Sequence, residues 1–212
     1  MHNDICILGL GETGGLFLER LQGLLQDRMK IMDARTRESV NVFTLHLPLK
    51  GEFNFITVSG LLEETLSGSS AKINNEEIKY IVFGNLREQS VCVQSVHIAN
   101  LIHLRDREKL QRKGDLVGFF ALNDALGTVE KMGINGGIAI NQFLDNCGLC
   151  NYTPEYTTAD GMPFKTIELG SSPWDRLYIG VSPGGEDVLL DATLQVFAER
   201  IFYEIYFFSI KQ

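Results

Sequence analysis

The chain has 212 residues, 44% hydrophobic and 22% charged, which argues against a disordered or fibrous protein and suits one compact domain. Its 19 Lys and Arg against 27 Asp and Glu leave a net charge of −8 with no dense basic stripe, so nucleic acid is not an expected partner. The start, Met1-His2-Asn3-Asp4, lacks the basic and apolar regions of a signal peptide, so a cytoplasmic chain with reduced cysteines and no disulfide framework is expected.

Asp4 to Leu8 is a short apolar run ended by glycines and predicts a buried strand. From Thr13 to Arg28, Leu16, Phe17, Leu21, Leu24 and Leu25 recur at helical spacing between charged residues, which predicts an amphipathic helix. Met29 to Ala34 is a second apolar run reaching Asp33, and reads as the second strand. Val40 to Leu47, Phe53 to Val58, Tyr80 to Phe83 and the alternating Ser90 to Ile98 then read as strands separated by turn residues, so a β-rich insertion is expected around 40–113. Within it, the mixed-charge stretch Arg105 to Lys113 reads as a solvated helix or turn. Leu116 to Leu122 predicts another strand, and Ala125 to Met132 a helix ended by Gly133. Residues 146–173 are rich in glycine and proline and read as a long loop. Arg176 to Val181 predicts a strand, Ser182-Pro183-Gly184-Gly185 a tight turn, and Glu186 onward a long apolar helix.

The chemistry concentrates at the glycines. Gly9-Leu10-Gly11-Glu12-Thr13-Gly14 is a G-x-G-x-x-G between a predicted strand and a predicted helix, the context that makes this short motif informative. The first glycine permits the turn, the second lets backbone approach a pyrophosphate, and the third brings helix and strand together. Asp33, 22 residues beyond Gly11, is placed to take a ribose or base hydrogen bond, with Arg35 beside it. Ser182, Gly184 and Gly185 form a second strand-to-helix junction whose free N–H groups could hold an anion.

Taken together, Gly9 to Gly14, Met32-Asp33-Ala34-Arg35 and Val181-Ser182-Pro183-Gly184 resemble the N-terminal, UDP-binding Rossmann-like domain of Mur ligases. The resemblance implies that the glycine loop and the S-P-G turn face a diphosphate and that Asp33 and Arg35 face a uridine. The chain has no G-T-x-G-K-[ST] loop for ATP, which excludes a complete ligase. Gly9 to Gly15, Gly133 to Gly137 and Ser182 to Gly185 also resemble nucleotide loops of tubulin and FtsZ-like proteins, which implies GTP as ligand. That family's G-G-G-T-G-[ST]-G and acidic catalytic loop are missing.

Cys147-Gly148-Leu149-Cys150 is a lone C-x-x-C with His97 and His103 as its only distant companions, too little for a zinc site, and no metal is expected. No nucleophile elbow, metalloprotease motif or spaced acid pair is present, so the catalytic residues are unknown. The last helix is apolar almost all round, yet Asp191, Glu199, Arg200 and Glu204 interrupt it. It predicts a core helix and a homo-oligomer or partner interface rather than a membrane span.

The expectation is one Rossmann-like α/β domain over residues 1–212, with a mostly parallel sheet, helices on both faces and the β-rich insertion. It would bind a nucleotide (NAD, a UDP-sugar or GTP) through Gly9, Gly11, Glu12, Thr13, Gly14, Asp33, Arg35, Ser182, Gly184 and Gly185. The other expectation is a non-catalytic assembly or regulatory protein that keeps this fold and docks a partner on its C-terminal helix.

Overall fold

A computed structural model describes residues 3–34, 40–49, 58, 60–61, 64, 78–106, 114–124, 143, 156–157, 163–164, 173–183 and 188–210. The elements are β1 (Asn3–Leu10), α1 (Gly11–Met29), β2 (Val40–Leu47), β3 (Ile78–Asn85), α2 (Gln89–Arg105), β4 (Asp115–Asp124), the two-residue strands β5 (Tyr156–Thr157) and β6 (Pro163–Phe164), β7 (Arg176–Pro183) and α3 (Val188–Ser209). Five strands form one sheet in the order β2-β1-β3-β4-β7, every neighbouring pair parallel. The fold is therefore the expected Rossmann-like α/β class.

Strand periodicity sorts the core into two layers. Cys6, Leu8, Tyr80, Val82, Leu116 and Phe120 point to the side covered by α2, where Val91, Val96, Ala99 and Ile102 complete the layer. Ile5, Ile7, Ile81, Phe83, Val117 and Phe119 point to the other side, under α1 and α3. β3 is buried along its whole length, as the centre of a sheet covered on both faces must be. Phe83 ties that second layer together, stacking on Phe17 of α1 at 3.9 Å and meeting Phe197 of α3 edge-on at 6.0 Å.

Three expectations change. First, α1 runs to Met29 and passes into a turn at Lys30, so residues 29–34 are not a strand; the second strand of the sheet is β2. Second, Ser90 to Ile98 is helical, inside α2. Its β-branched residues suggested a strand, but β3 and β4 are parallel neighbours and need a crossover, which α2 supplies. Third, β2 and β3 belong to the main sheet and not to a separate β-rich insertion. Of the strand expected at 53–58, only Val58 is described, in helical conformation. The helix expected at 125–132 lies outside the described residues.

At the opposite end of the sheet from the glycine loop, two buried charges, Lys79 and Glu204, join the more exposed Asp115 and Arg176 in one network. Lys79, 3% exposed, lies 2.9 Å from Glu204 and 3.0 Å from Asp115, and Arg176 reaches both acids. Each buried charge there has an opposite partner, the condition under which burial is tolerated. Lys79 also sits 4.9 Å above the Phe208 ring, fixing the end of α3 against β3.

Candidate functional site

Chain order places β2 on one side of β1 and β3 on the other, so the crevice beyond their carboxyl ends is the switch point at which sheets of this kind bind ligands. The glycine loop lies there. A Cβ on Gly9 would come within 2.4 Å of the Gly14 carbonyl oxygen, and one on Gly14 within 2.5 Å of the Gly9 carbonyl carbon. These two glycines therefore let α1 close onto β1, the packing role the motif assigns to its outer members. Gly11 has φ +71°, a left-handed conformation that side chains strain against.

What faces Gly11 is Glu88. The Glu12 N–H donates to Glu88 Oε2 at 2.7 Å and the Thr13 N–H donates to Glu88 Oε1 at 2.9 Å. A Cβ on Gly11 would meet this carboxylate at 2.1 Å. Leu10, the residue preceding α1, offers no side-chain cap of its own. The first free amides of the helix are satisfied from a residue 76 positions away in sequence. Glu88 is itself the N-cap residue of α2, and its side chain does not cap that helix. The start of α2 thus supplies the residue, and the N-terminus of α1, with its partial positive charge, takes the carboxylate.

Three further side chains frame this point. Asn85, at the end of β3, donates from Nδ2 to Thr13 Oγ1 at 3.4 Å and accepts the Arg87 N–H at 3.1 Å. Arg87 is exposed on the turn between β3 and α2. His46, near the end of β2, pairs in register with Gly9 and lies 2.8 Å from the Gly11 carbonyl oxygen through Nε2.

Of the residues expected in the site, Gly9, Gly11, Glu12, Thr13 and Gly14 are together. Asp33 is not with them. α1 starts at the glycine loop and runs about 28 Å to the far edge of the sheet, where the exposed Asp33 precedes β2. Because the run holding Asp33 is a turn and not a strand, the spacing from Gly11 leads away from the loop. Arg35, Gly184 and Gly185 lie outside the described residues, as do Cys147 and Cys150. Ser182 pairs with Asn123 near the end of β7, separated from β1 by β3 and β4.

Glu88, Asn85 and His46 went unnoticed in the sequence. The one signal for Glu88 was its place just after Gly84-Asn85, and it carries meaning only once β3 is known to lie beside β1. Among the described residues no three His, Cys, Asp or Glu side chains converge to hold a metal ion. Cys6 and Cys92 are buried and in no disulfide, and burial raises the Cys92 pKa, away from reactivity. Comparison with protein-family models, curated proteins and solved structures finds no match.

Proposed function

We propose that this chain binds the phosphates of a nucleotide in the crevice between β1 and β3, through the Glu12 and Thr13 N–H groups. The observation that carries this reading is that these amides already grip an anion, with both oxygens of one carboxylate in short hydrogen bonds. A phosphate offers the same oxygen pair with more charge, and helix N-termini suit it for that reason. The ligand class is a nucleotide such as NAD, a UDP-sugar or GTP; among the described residues the crevice shows no set of groups that assigns a reaction.

A phosphate entering this crevice displaces Glu88, which lowers affinity by whatever the internal contact is worth. Thermal-shift titration with NAD, NADP, UDP-glucose, GTP and ATP tests the proposal. Stabilisation by one of them, lost in Gly11→Val, is the expected result. If none stabilises the protein, or Gly11→Val responds as wild type does, phosphate binding at this loop is refuted.

A second reading rests on α3. Leu194, Phe197, Ile201, Ile205 and Phe208 are buried against the sheet, while Val196, Tyr203, Phe207 and Ile210 form an exposed apolar stripe. We infer that a second copy of the chain covers it in an assembly role. Glu199 and Arg200 beside the stripe are already engaged within the chain, with Arg28 and with the Tyr178 hydroxyl, so the apolar residues themselves carry the pairing, and two-fold pairing is the commonest arrangement among soluble oligomers. Sedimentation should show a dimer that Tyr203→Glu/Phe207→Glu dissociates; a monomer at all concentrations removes this reading. Among the described residues no helix is long and apolar enough to cross a membrane.

A further inference from the structure

We infer that His46 reads the sugar hydroxyls of the bound nucleotide, an inference that rests on the phosphate reading above. In doubly wound sheets with a glycine loop after the first strand, the hydroxyl acceptor for the ribose comes from the neighbouring strand's far end. Sequence spacing nominated Asp33 for that task. The register of β1 with β2 instead brings His46 opposite Gly9, at the lip of the loop.

The imidazole is held in one orientation. Its Nε2 lies 2.8 Å from the Gly11 carbonyl oxygen. A carbonyl only accepts, so Nε2 carries the proton, and in the neutral ring Nδ1 is left as an acceptor. Among the described residues nothing hydrogen-bonds Nδ1, and the residue is exposed. The ring also rests on Gly15, where a Cβ would stand 2.7 Å from Cε1 and 2.8 Å from Nε2. Gly15 is a fourth glycine that the phosphate motif does not require. Its lack of a side chain seats His46.

The same carbonyl contact joins the two halves of the ligand site. Gly11 spends its left-handed backbone on the anion and its carbonyl on the histidine, so an anion on Glu12 N–H and a hydroxyl on Nδ1 would be read from one rigid loop. An acceptor nitrogen of the neutral ring favours a free hydroxyl and gives no reason to favour a 2′-phosphate.

The test is calorimetric binding of GTP, ATP and UDP, each beside its 2′,3′-dideoxy form, and of inorganic pyrophosphate, to wild type, His46→Gln and His46→Phe. Gln can still donate from its amide nitrogen to the Gly11 carbonyl and keeps an acceptor oxygen, whereas Phe keeps a ring over Gly15 and has no acceptor, so the pair separates the acceptor from the ring and a folded variant is available if either fails. Wild type should prefer the ribonucleotide by about three- to tenfold. His46→Phe should bind ribo and dideoxy forms alike and His46→Gln should keep part of the preference, while both hold pyrophosphate as wild type does. A preference that survives in His46→Phe, or no preference in wild type, overturns the role of His46 and leaves phosphate binding standing. Loss of pyrophosphate together with nucleotide would make His46 a support of the loop and not a reader. If wild type binds neither pyrophosphate nor any nucleotide, the phosphate reading itself fails, and this inference with it.

Discussion

Replacing Glu88 by alanine should make the unliganded protein less stable and its anion site stronger, and one energy sets both effects. The carboxylate makes charge-assisted bonds of 2.7 and 2.9 Å to the first amides of α1. Glu88 is half-buried and the bond to Glu12 is solvent-exposed, so screening reduces the contact to about 1–2 kcal/mol, the range of a good helix cap. For a chain of this size, Tm should fall by about 2–8 °C. The same 1–2 kcal/mol no longer opposes an incoming phosphate, so affinity should rise by about 5- to 30-fold. Urea denaturation and calorimetry with pyrophosphate on the same two proteins read the two numbers. Reasoning from a shared site is refuted if Glu88→Ala is as stable as wild type, or if it is destabilised without any gain in anion affinity.

Gly11→Val should abolish binding and cost about 1–3 kcal/mol, because it strains a backbone at φ +71° and drives a side chain into Glu88; denaturation and calorimetry together measure both. Asp33→Ala should leave phosphate and nucleotide affinity unchanged, and a loss of tenfold or more in calorimetry would return Asp33 to the site. Lys79→Met should destabilise by about 2–4 kcal/mol in urea, somewhat less than a wholly orphaned buried acid, since Arg176 still holds Glu204. Lys79→Met/Glu204→Leu should recover most of that loss. Burial pushes the His97 pKa below its ordinary value, so the unfolded chain takes up the proton more readily. Its contribution to stability is full above about pH 6.5 and is lost as pH falls through the lower folded value. His97→Gln should flatten that acid-side decline in the urea midpoint.

Most of the sheet was readable because its central strands are buried on both faces and appear as apolar runs, as at Asp4–Leu8 and Leu116–Leu122, and the partly buried edge strand at Arg176–Val181 is apolar after its first residue. α2 was misread because Val91, Val93, Val96 and Ile98 carry strand propensity, and tertiary need for a crossover overrode it. The glycine loop was recognisable from spacing, which follows from backbone geometry local to residues 9–14. The rest of the site was not. Glu88 and His46 reach Gly11 from 77 and 35 positions away in sequence, and only the strand order β2-β1-β3 brings them there. Asp33 failed for the complementary reason. A spacing rule presumes that the second strand follows the helix at once, and here α1 and a turn occupy that stretch.

Amide resonances give the most direct test of the central claim that the start of α1 is a receptor for phosphate held closed by Glu88. Titrating pyrophosphate, then GTP, NAD and UDP-glucose, into isotope-labelled protein should move the Glu12 and Thr13 N–H signals first and furthest, with Glu88 and the first turn of α2 following at the same ligand concentrations. In Glu88→Ala the same two amides should respond at lower concentration. Signals at Glu12 and Thr13 that stay fixed while others move, or that respond to none of these ligands in either protein, would contradict the account.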